Sequence, residues 1–149
     1  SAASDVYKRQ IYTQEEVMKR QKSREKAMEL LFSMELSKNS YEETIENFIE
    51  DYEMDLKTID VDYIKNVVKV VTDNLEDIDS RIVNALVNWK LDRVSKVNLT
   101  ILRLAVGEML FVDDVPGSVA INEAVELAKK YGADNAPSFI NGVLAQLAD

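Results

Sequence analysis

Apolar residues recur every three or four positions along most of the chain, which is the period of an amphipathic α-helix. The signal sharpens at Ser23 and predicts helical stretches over residues 23–38, 41–53, 61–89, 94–112, 115–132 and 136–148. The valines of the third stretch are also compatible with a strand, but its length and spacing favour helix. A break near Glu76–Asp79 would make seven helices instead of six. Only four glycines and two prolines support long regular elements.

Two of these stretches carry features with structural consequences. Residues 94–112 are apolar almost all round, which is typical of a central, surrounded helix. Glu108 lies on its apolar arc, and an unpaired buried carboxylate costs several kcal/mol, so we expect a partner among Arg93, Arg103 and the asparagines. In the stretch 115–132, Gly132 is placed for a left-handed helix end.

The polar residues of the last two stretches lie beside their apolar faces. On a helical wheel, Asn122 and Lys129 flank one side of the apolar face, and Glu123 flanks the other. Asn122 and Asn141 are predicted to be helix-packing amides. Phe139 falls at the edge of the last apolar face, either as a core ring or partly exposed, and Asn135 is placed to cap that helix.

Charge is distributed unevenly along this 149-residue, single-domain chain of net charge −9. Residues 18–26 carry five basic residues and one acid, whereas residues 29–62 carry eleven acids and two lysines. Screening confines such fields to about 10 Å, so a local basic segment can bind phosphate on an acidic protein. The alternative is a solvated helix start.

Composition argues against catalysis. The chain has neither histidine nor cysteine, and its glycines match no phosphate-binding loop. The acidic pairs at residues 60–62 and 113–114 lack the spacing of a calcium loop. We therefore expect no catalytic residues, no metal and no cofactor. No apolar run is long enough to span a membrane and no signal peptide is evident, so a cytoplasmic protein without a membrane partner is expected.

Three segments together carry a family resemblance. SREKAMELLFSMEL (23–36), NLTILRLAVGEML (98–110) and DVPGSVAINEAVELAKKYGADNAPSFINGVL (114–144) resemble the NusB family of transcription antitermination factors. The last is the most specific, with V-P, V-A-I-N-E-A-V-E-L-A-K and F-I-N-G-V-L in the family's order. The resemblance implies an all-α, NusB-like fold of two packed three-helix bundles. Residues 18–149 would form one RNA-binding domain, and residues 1–17 a flexible or non-native extension.

The resemblance also implies a function. The family binds single-stranded boxA RNA together with the ribosomal protein NusE, and acts with other Nus factors and RNA polymerase. It suppresses premature termination and promotes ribosomal RNA transcription, without catalysis. Alternatives are the NusB-like module of a ribosomal RNA cytosine methyltransferase, followed by a methyl-donor domain, and a helical partner protein that binds no RNA. A homodimer is left open.

Site residues follow from the resemblance and the charge pattern together. The predicted RNA-binding residues are Lys19, Arg20, Lys22, Arg24, Lys129, Asn135 and Phe139. The predicted NusE-facing residues are Phe32, Trp89, Asn98 and Arg103. The predicted structural polar residues are Glu108, Asn122 and Asn141. The acidic body suits a basic ribosomal partner. Five phosphate contacts would give a log–log salt slope of about −3.5.

Overall fold

The computed structural model describes residues 12–52 and 55–148, and every regular element within these ranges is helical. The seven α-helices of this described part are α1 (Gln14–Ser37), α2 (Tyr41–Asp51), α3 (Val61–Asp73), α4 (Leu75–Ala85), α5 (Lys96–Phe111), α6 (Gly117–Tyr131) and α7 (Ala136–Leu147). Short 3-10 turns occur at Leu56–Thr58 and Leu91–Arg93. No helix of the described part has both the length and the apolarity needed to cross a bilayer.

The first helix begins where a capping box is encoded. The Thr13 hydroxyl accepts from the Glu16 amide at 3.1 Å, and the Glu16 carboxylate accepts from the Thr13 amide at 2.9 Å. These bonds satisfy amides that the first helical turn would otherwise leave unpaired. Residues 14–17 of the predicted extension therefore belong to α1. Its first part, residues 1–11, lies outside the described residues.

Helix α5 occupies the centre of the protein. Helices α1, α2 and α3 pack together as one bundle, and α5, α6 and α7 pack as the second, with α4 against α5 and α7. Because α5 contacts α1, α3, α4, α6 and α7, nearly all its faces are buried, as its all-round apolar pattern predicted. Gly107 permits the close crossing of α3, since a Cβ there would lie 2.6 Å from Val71 Cγ2. The predicted two-bundle fold is confirmed.

Two local predictions were wrong. The long stretch 61–89 breaks at Asn74, earlier than Glu76–Asp79, because the Asn74 side chain donates to the Val70 carbonyl at 2.7 Å and ends α3. Gly132 is extended, with φ −94° and ψ 174°, and is not left-handed. Glycine is needed there for another reason: a Cβ would lie 2.5 Å from the Ala136 Cβ, where α7 begins against the end of α6.

Candidate nucleic-acid interface

A buried ion pair joins α1 to the central helix. The Arg24 guanidinium donates to Glu108 through Nε at 2.7 Å and Nη2 at 2.9 Å, and the side chains are 2% and 1% exposed. Glu123 of α6 lies 3.7 Å from Arg24 Nη1 and accepts from Gln21 Nε2 at 3.1 Å. The Glu108 partner is thus Arg24, and not Arg93, Arg103 or an asparagine.

This burial corrects one predicted RNA contact. Arg24 was expected on the RNA surface, but its forked donors already match both Glu108 oxygens in a site closed to solvent. Arg24 borders the depression between α1 and α6, but a phosphate would have to displace Glu108 to bind these donors. Arg24 therefore joins Glu108 as a structural polar residue.

Arg20, one turn earlier, is largely engaged as well. Its guanidinium lies 4.2 Å from the centre of the Tyr63 ring, and Nη2 lies 3.5 Å from Asp114 and 3.8 Å from Asp60. Burial raises the pKa of Tyr63 well above its usual value, and the charge of Glu108 adds to this, so the ring stays neutral beneath Arg20. The Arg20 side chain keeps 21% of its surface exposed, which leaves one edge for an external anion.

The remaining basic residues of the predicted RNA set are Lys19 and Lys22 on α1 and Lys129 on α6, and Lys19 lines a separate depression with Arg20, Asp60 and Asp114. Lys19 is exposed and Lys22 half-buried, and within residues 12–52 and 55–148 neither has an acidic group at ion-pair distance. Exposed Lys129 contacts Glu126 at 3.0 Å. A shallow depression of about 370 Å³ lies between the two helices, with Gln21 and Lys129 among its lining residues.

Cross-helix bonds hold α1 and α6 together. Lys130 contacts Glu25 at 2.8 Å, and the Tyr131 hydroxyl donates to Glu29 at 2.7 Å. Burial raises the pKa of Tyr131 above its usual value, and the bond to Glu29 adds to the increase. Acidic residues are thus interspersed among the α1 and α6 members of the predicted RNA set, in the depression beside Lys129 and in the one beside Lys19 and Arg20.

The aromatic part of the site pairs two residues that had been predicted for different partners. Trp89, expected to face NusE, lies with its ring centre 6.0 Å from that of Phe139, at an interplanar angle of 67°. Trp89 is 55% exposed, and half-buried Phe139 packs against the core. Asn135 is exposed and makes no side-chain capping bond to α7.

The other predicted partner residues do not form one patch. Arg103 donates to Asp79 at 2.7 and 2.8 Å and to Glu35 at 3.1 Å, tying α5 to α4 and α1. Asn98 is half-buried near Gly132, at the junction of α6 and α7. Five helical positions separate Asn98 from Arg103, which is about 140° around the axis. Phe32 is half-buried on α1.

The ion pair between Arg103 and Glu35 makes the free energy of unfolding depend on pH in the acid range. Burial favours the neutral form of Glu35, but the hydrogen bond and charge of Arg103 outweigh it and hold the pKa of Glu35 below its usual value of 4.5. A lowered folded-state pKa contributes stability that is present above the unfolded value and is lost as pH falls through the folded one. Glu35→Gln should therefore destabilise the protein at about pH 7 and much less at about pH 3.

Urea unfolding at the two pH values measures this difference. Glu46→Gln, at an exposed position of α2, is the control for the change in charge and should alter stability little. A loss of stability in the Glu35→Gln variant that is the same at both pH values would contradict the role given to the ion pair.

The two asparagines that were predicted to pack between helices differ in their exposure. Asn122 is half-buried on α6, whereas Asn141 is exposed on α7, so Asn141 is not a helix-packing amide. Sequence reasoning also missed the buried role of Glu123 and its contact with Gln21. A signal for Arg24 was present, because Arg24 shares the helical face of Ala27 and Leu31 at spacings of three and seven.

Comparisons with known proteins agree with this architecture. The family model described as "NusB family" matches residues 21–149. The transcription antitermination protein NusB of Clostridium novyi is 48% identical over 87% of this chain and 98% of its own length. The protein of the same name from Clostridium botulinum strain Alaska E43 is 55% identical over 85% of this chain and 96% of its own length.

Solved structures show the same similarity. Thermotoga maritima NusB aligns with a TM-score of 0.75 and 34% identity, covering 87% of this chain and 89% of that one. A crystal structure of the antitermination factors NusB and NusE in complex with double-stranded RNA aligns with a TM-score of 0.76 and 28% identity, covering 86% and 94% of the two chains. By its sequence and its fold, this chain belongs to the NusB family.

Proposed function

We propose that this protein is a transcription antitermination factor that binds boxA RNA together with a NusE protein. In this role it promotes ribosomal RNA transcription by suppressing premature termination, acts without catalysis, and joins other Nus factors on RNA polymerase. The observation that carries the proposal is its similarity, over 86% of the chain, to a NusB solved with NusE and RNA. The relatives named as antitermination proteins support it over nearly their whole length.

The RNA would lie along the surface shared by α1 and α6 and reach the start of α7. Lys22 and Lys129 would supply positive charge there, and Lys19 and the exposed edge of Arg20 would extend it along α1. Asn135 and Phe139 then present an amide and a ring, which suit the hydrogen-bonding edge and the face of an unpaired base.

The partner protein would contact a different part of the surface. Helix α2 exposes a row of acids, Glu42, Glu43, Glu46, Glu50 and Asp51. Such a surface favours a basic protein and repels RNA. Half-buried Phe32 and Asn98 remain the proposed contacts with NusE, and Arg103 acts through Glu35 and Asp79 by fixing α1 and α4 against α5.

Titration of a fluorescently labelled boxA RNA, followed by anisotropy, tests the proposal. With NusE present, we expect tighter binding to boxA than to a scrambled RNA or a duplex of equal length. Without Arg24, four basic side chains remain in the predicted set, so the log–log salt slope should be about −2.8 instead of −3.5. Equal affinity for boxA and scrambled RNA in the presence of NusE would refute the proposal.

A further inference from the structure

The segment between α4 and α5, residues 86–95, exposes an aromatic side chain at a backbone turn. Asn88 adopts the left-handed conformation, with φ 65°, which asparagine tolerates better than most residues. Trp89 follows it with 55% of its surface exposed, next to Val87 at 69%. A tryptophan this exposed, held just after a turn, is placed to contact another molecule.

Phe139 supports Trp89 from the protein side. The separation of 6.0 Å and the angle of 67° correspond to an edge-to-face pair, which fixes the indole without covering it. Phe139 is itself partly buried and packs against the core from α7, so the indole rests on a side chain that the core holds. A positioned ring with open surface is what the stacking of an unpaired base requires.

Two cations lie beside this ring. Lys90 and Arg93 line the same depression as Trp89, about 430 Å³ in volume, together with Asn88 and Asp92. Both cations are exposed, and neither has an acidic side chain within 4 Å in the described parts of the chain. On a protein of net charge −9, this combination of an indole, an amide and two cations without an acidic partner fits a nucleotide.

We propose that residues 88–93 form a nucleotide site that extends the RNA surface beyond Phe139. Trp89 stacks on one unpaired base, and Lys90 and Arg93 contact the adjoining phosphates. The inference rests on the proposed RNA-binding function and takes Trp89 away from the NusE interface. A basic ribosomal protein does not suit this surface, because Lys90 and Arg93 would repel it.

Intrinsic fluorescence tests the stacking directly, since Trp89 is the single tryptophan of the chain. When single-stranded boxA RNA is added in the presence of NusE, the fluorescence of Trp89 should be quenched. The quenching should follow the same RNA concentration dependence as the rise in anisotropy of the labelled RNA. Trp89→Ala should weaken RNA binding about 5- to 150-fold, and Trp89→Phe should retain most of the affinity. Far-UV circular dichroism confirms that both variants are folded.

The phosphate contacts have a separate signature. With Lys90 and Arg93 added to the four basic side chains of the proposed RNA surface, the wild-type slope should be about −4.2, and Lys90→Gln combined with Arg93→Gln should return it to about −2.8, because each contact contributes about 0.7. The matched control is Lys38→Gln combined with Lys69→Gln, two exposed lysines at the other end of α1 and on α3. This control should leave the slope unchanged.

Three outcomes would overturn the inference, and they are distinguishable. If the Trp89→Ala variant binds RNA with wild-type affinity and the wild-type fluorescence is not quenched, the nucleotide site is refuted and the proposed function stands. Weaker binding of that variant to NusE without RNA makes the segment a protein contact. Absence of boxA binding by every variant and the wild type, with NusE present, refutes the proposed function and the inference together.

Discussion

Replacing Arg24 with alanine is expected to lower the free energy of unfolding by about 3–5 kcal/mol, the largest effect of any single substitution we propose. The substitution removes the guanidinium and leaves Glu108, which is 1% exposed, and Glu123, which is 6% exposed, without their cation. Glu108 would then be an uncompensated buried charge, whereas Glu123 would keep its hydrogen bond from Gln21. Denaturant unfolding followed by circular dichroism measures the loss.

Two comparisons isolate the ion pair from the lost packing. Lys22→Ala, on the same helix, should change the free energy of unfolding by less than about 0.5 kcal/mol. The double variant Arg24→Ala with Glu108→Ala should lose less free energy of unfolding than the two single variants added together. The reason is that each single change leaves one buried charge without its partner. A cost below about 1 kcal/mol for Arg24→Ala, or strict additivity, would contradict the structural role of the pair.

Neutralising Lys19 and Lys22 together, each as glutamine, should weaken boxA RNA binding about tenfold at physiological salt and reduce the salt slope by about 1.4. These two side chains are the basic residues of the α1 surface that make no ion pair in the described part of the chain, so their charge is available to phosphate. Fold stability should be nearly unchanged because neither side chain is fully buried.

The control for this variant is again Lys38→Gln combined with Lys69→Gln. Lys38 ends α1, about 24–29 Å along the helix from Lys22 and Lys19. Equal losses of affinity in the two double variants would mean that overall charge acts, and not a localised RNA surface. Unchanged affinity for RNA in the Lys19 and Lys22 variant would favour the alternative of a helical partner protein without RNA binding.

Most of the fold was predictable because helices are local. The 3.6-residue period located the helices of the described part, although its signal sharpened only at Ser23 and α1 begins at Gln14. The all-round apolar pattern of residues 94–112 placed α5 at the centre. The errors fell at helix ends, at Asn74 and Gly132, where side-chain bonds or the approach of another helix decide the conformation.

The candidate site was less predictable than the fold, since the role of each of its residues depends on residues that are distant in sequence. The helical spacing puts Arg24 on the face of Ala27, but the family resemblance and the charge pattern together grouped it with Lys22 as a phosphate ligand. Its true partner, Glu108, is 84 positions away in sequence. Likewise, nothing local in the sequence relates Trp89 to Phe139, whose rings meet only because α4 packs against α7.

The sequence by itself determined the helices, the central position of α5, the basic segment on an acidic body and the family, since each depends on residue order within a segment. Tertiary structure alone decided which basic residues face solvent. Lys19 and Lys22 remain available to RNA, whereas Arg24, on the same helix, is enclosed with Glu108. The reason is that burial of a charge is stable only against an opposite charge, and packing brings that charge from another helix.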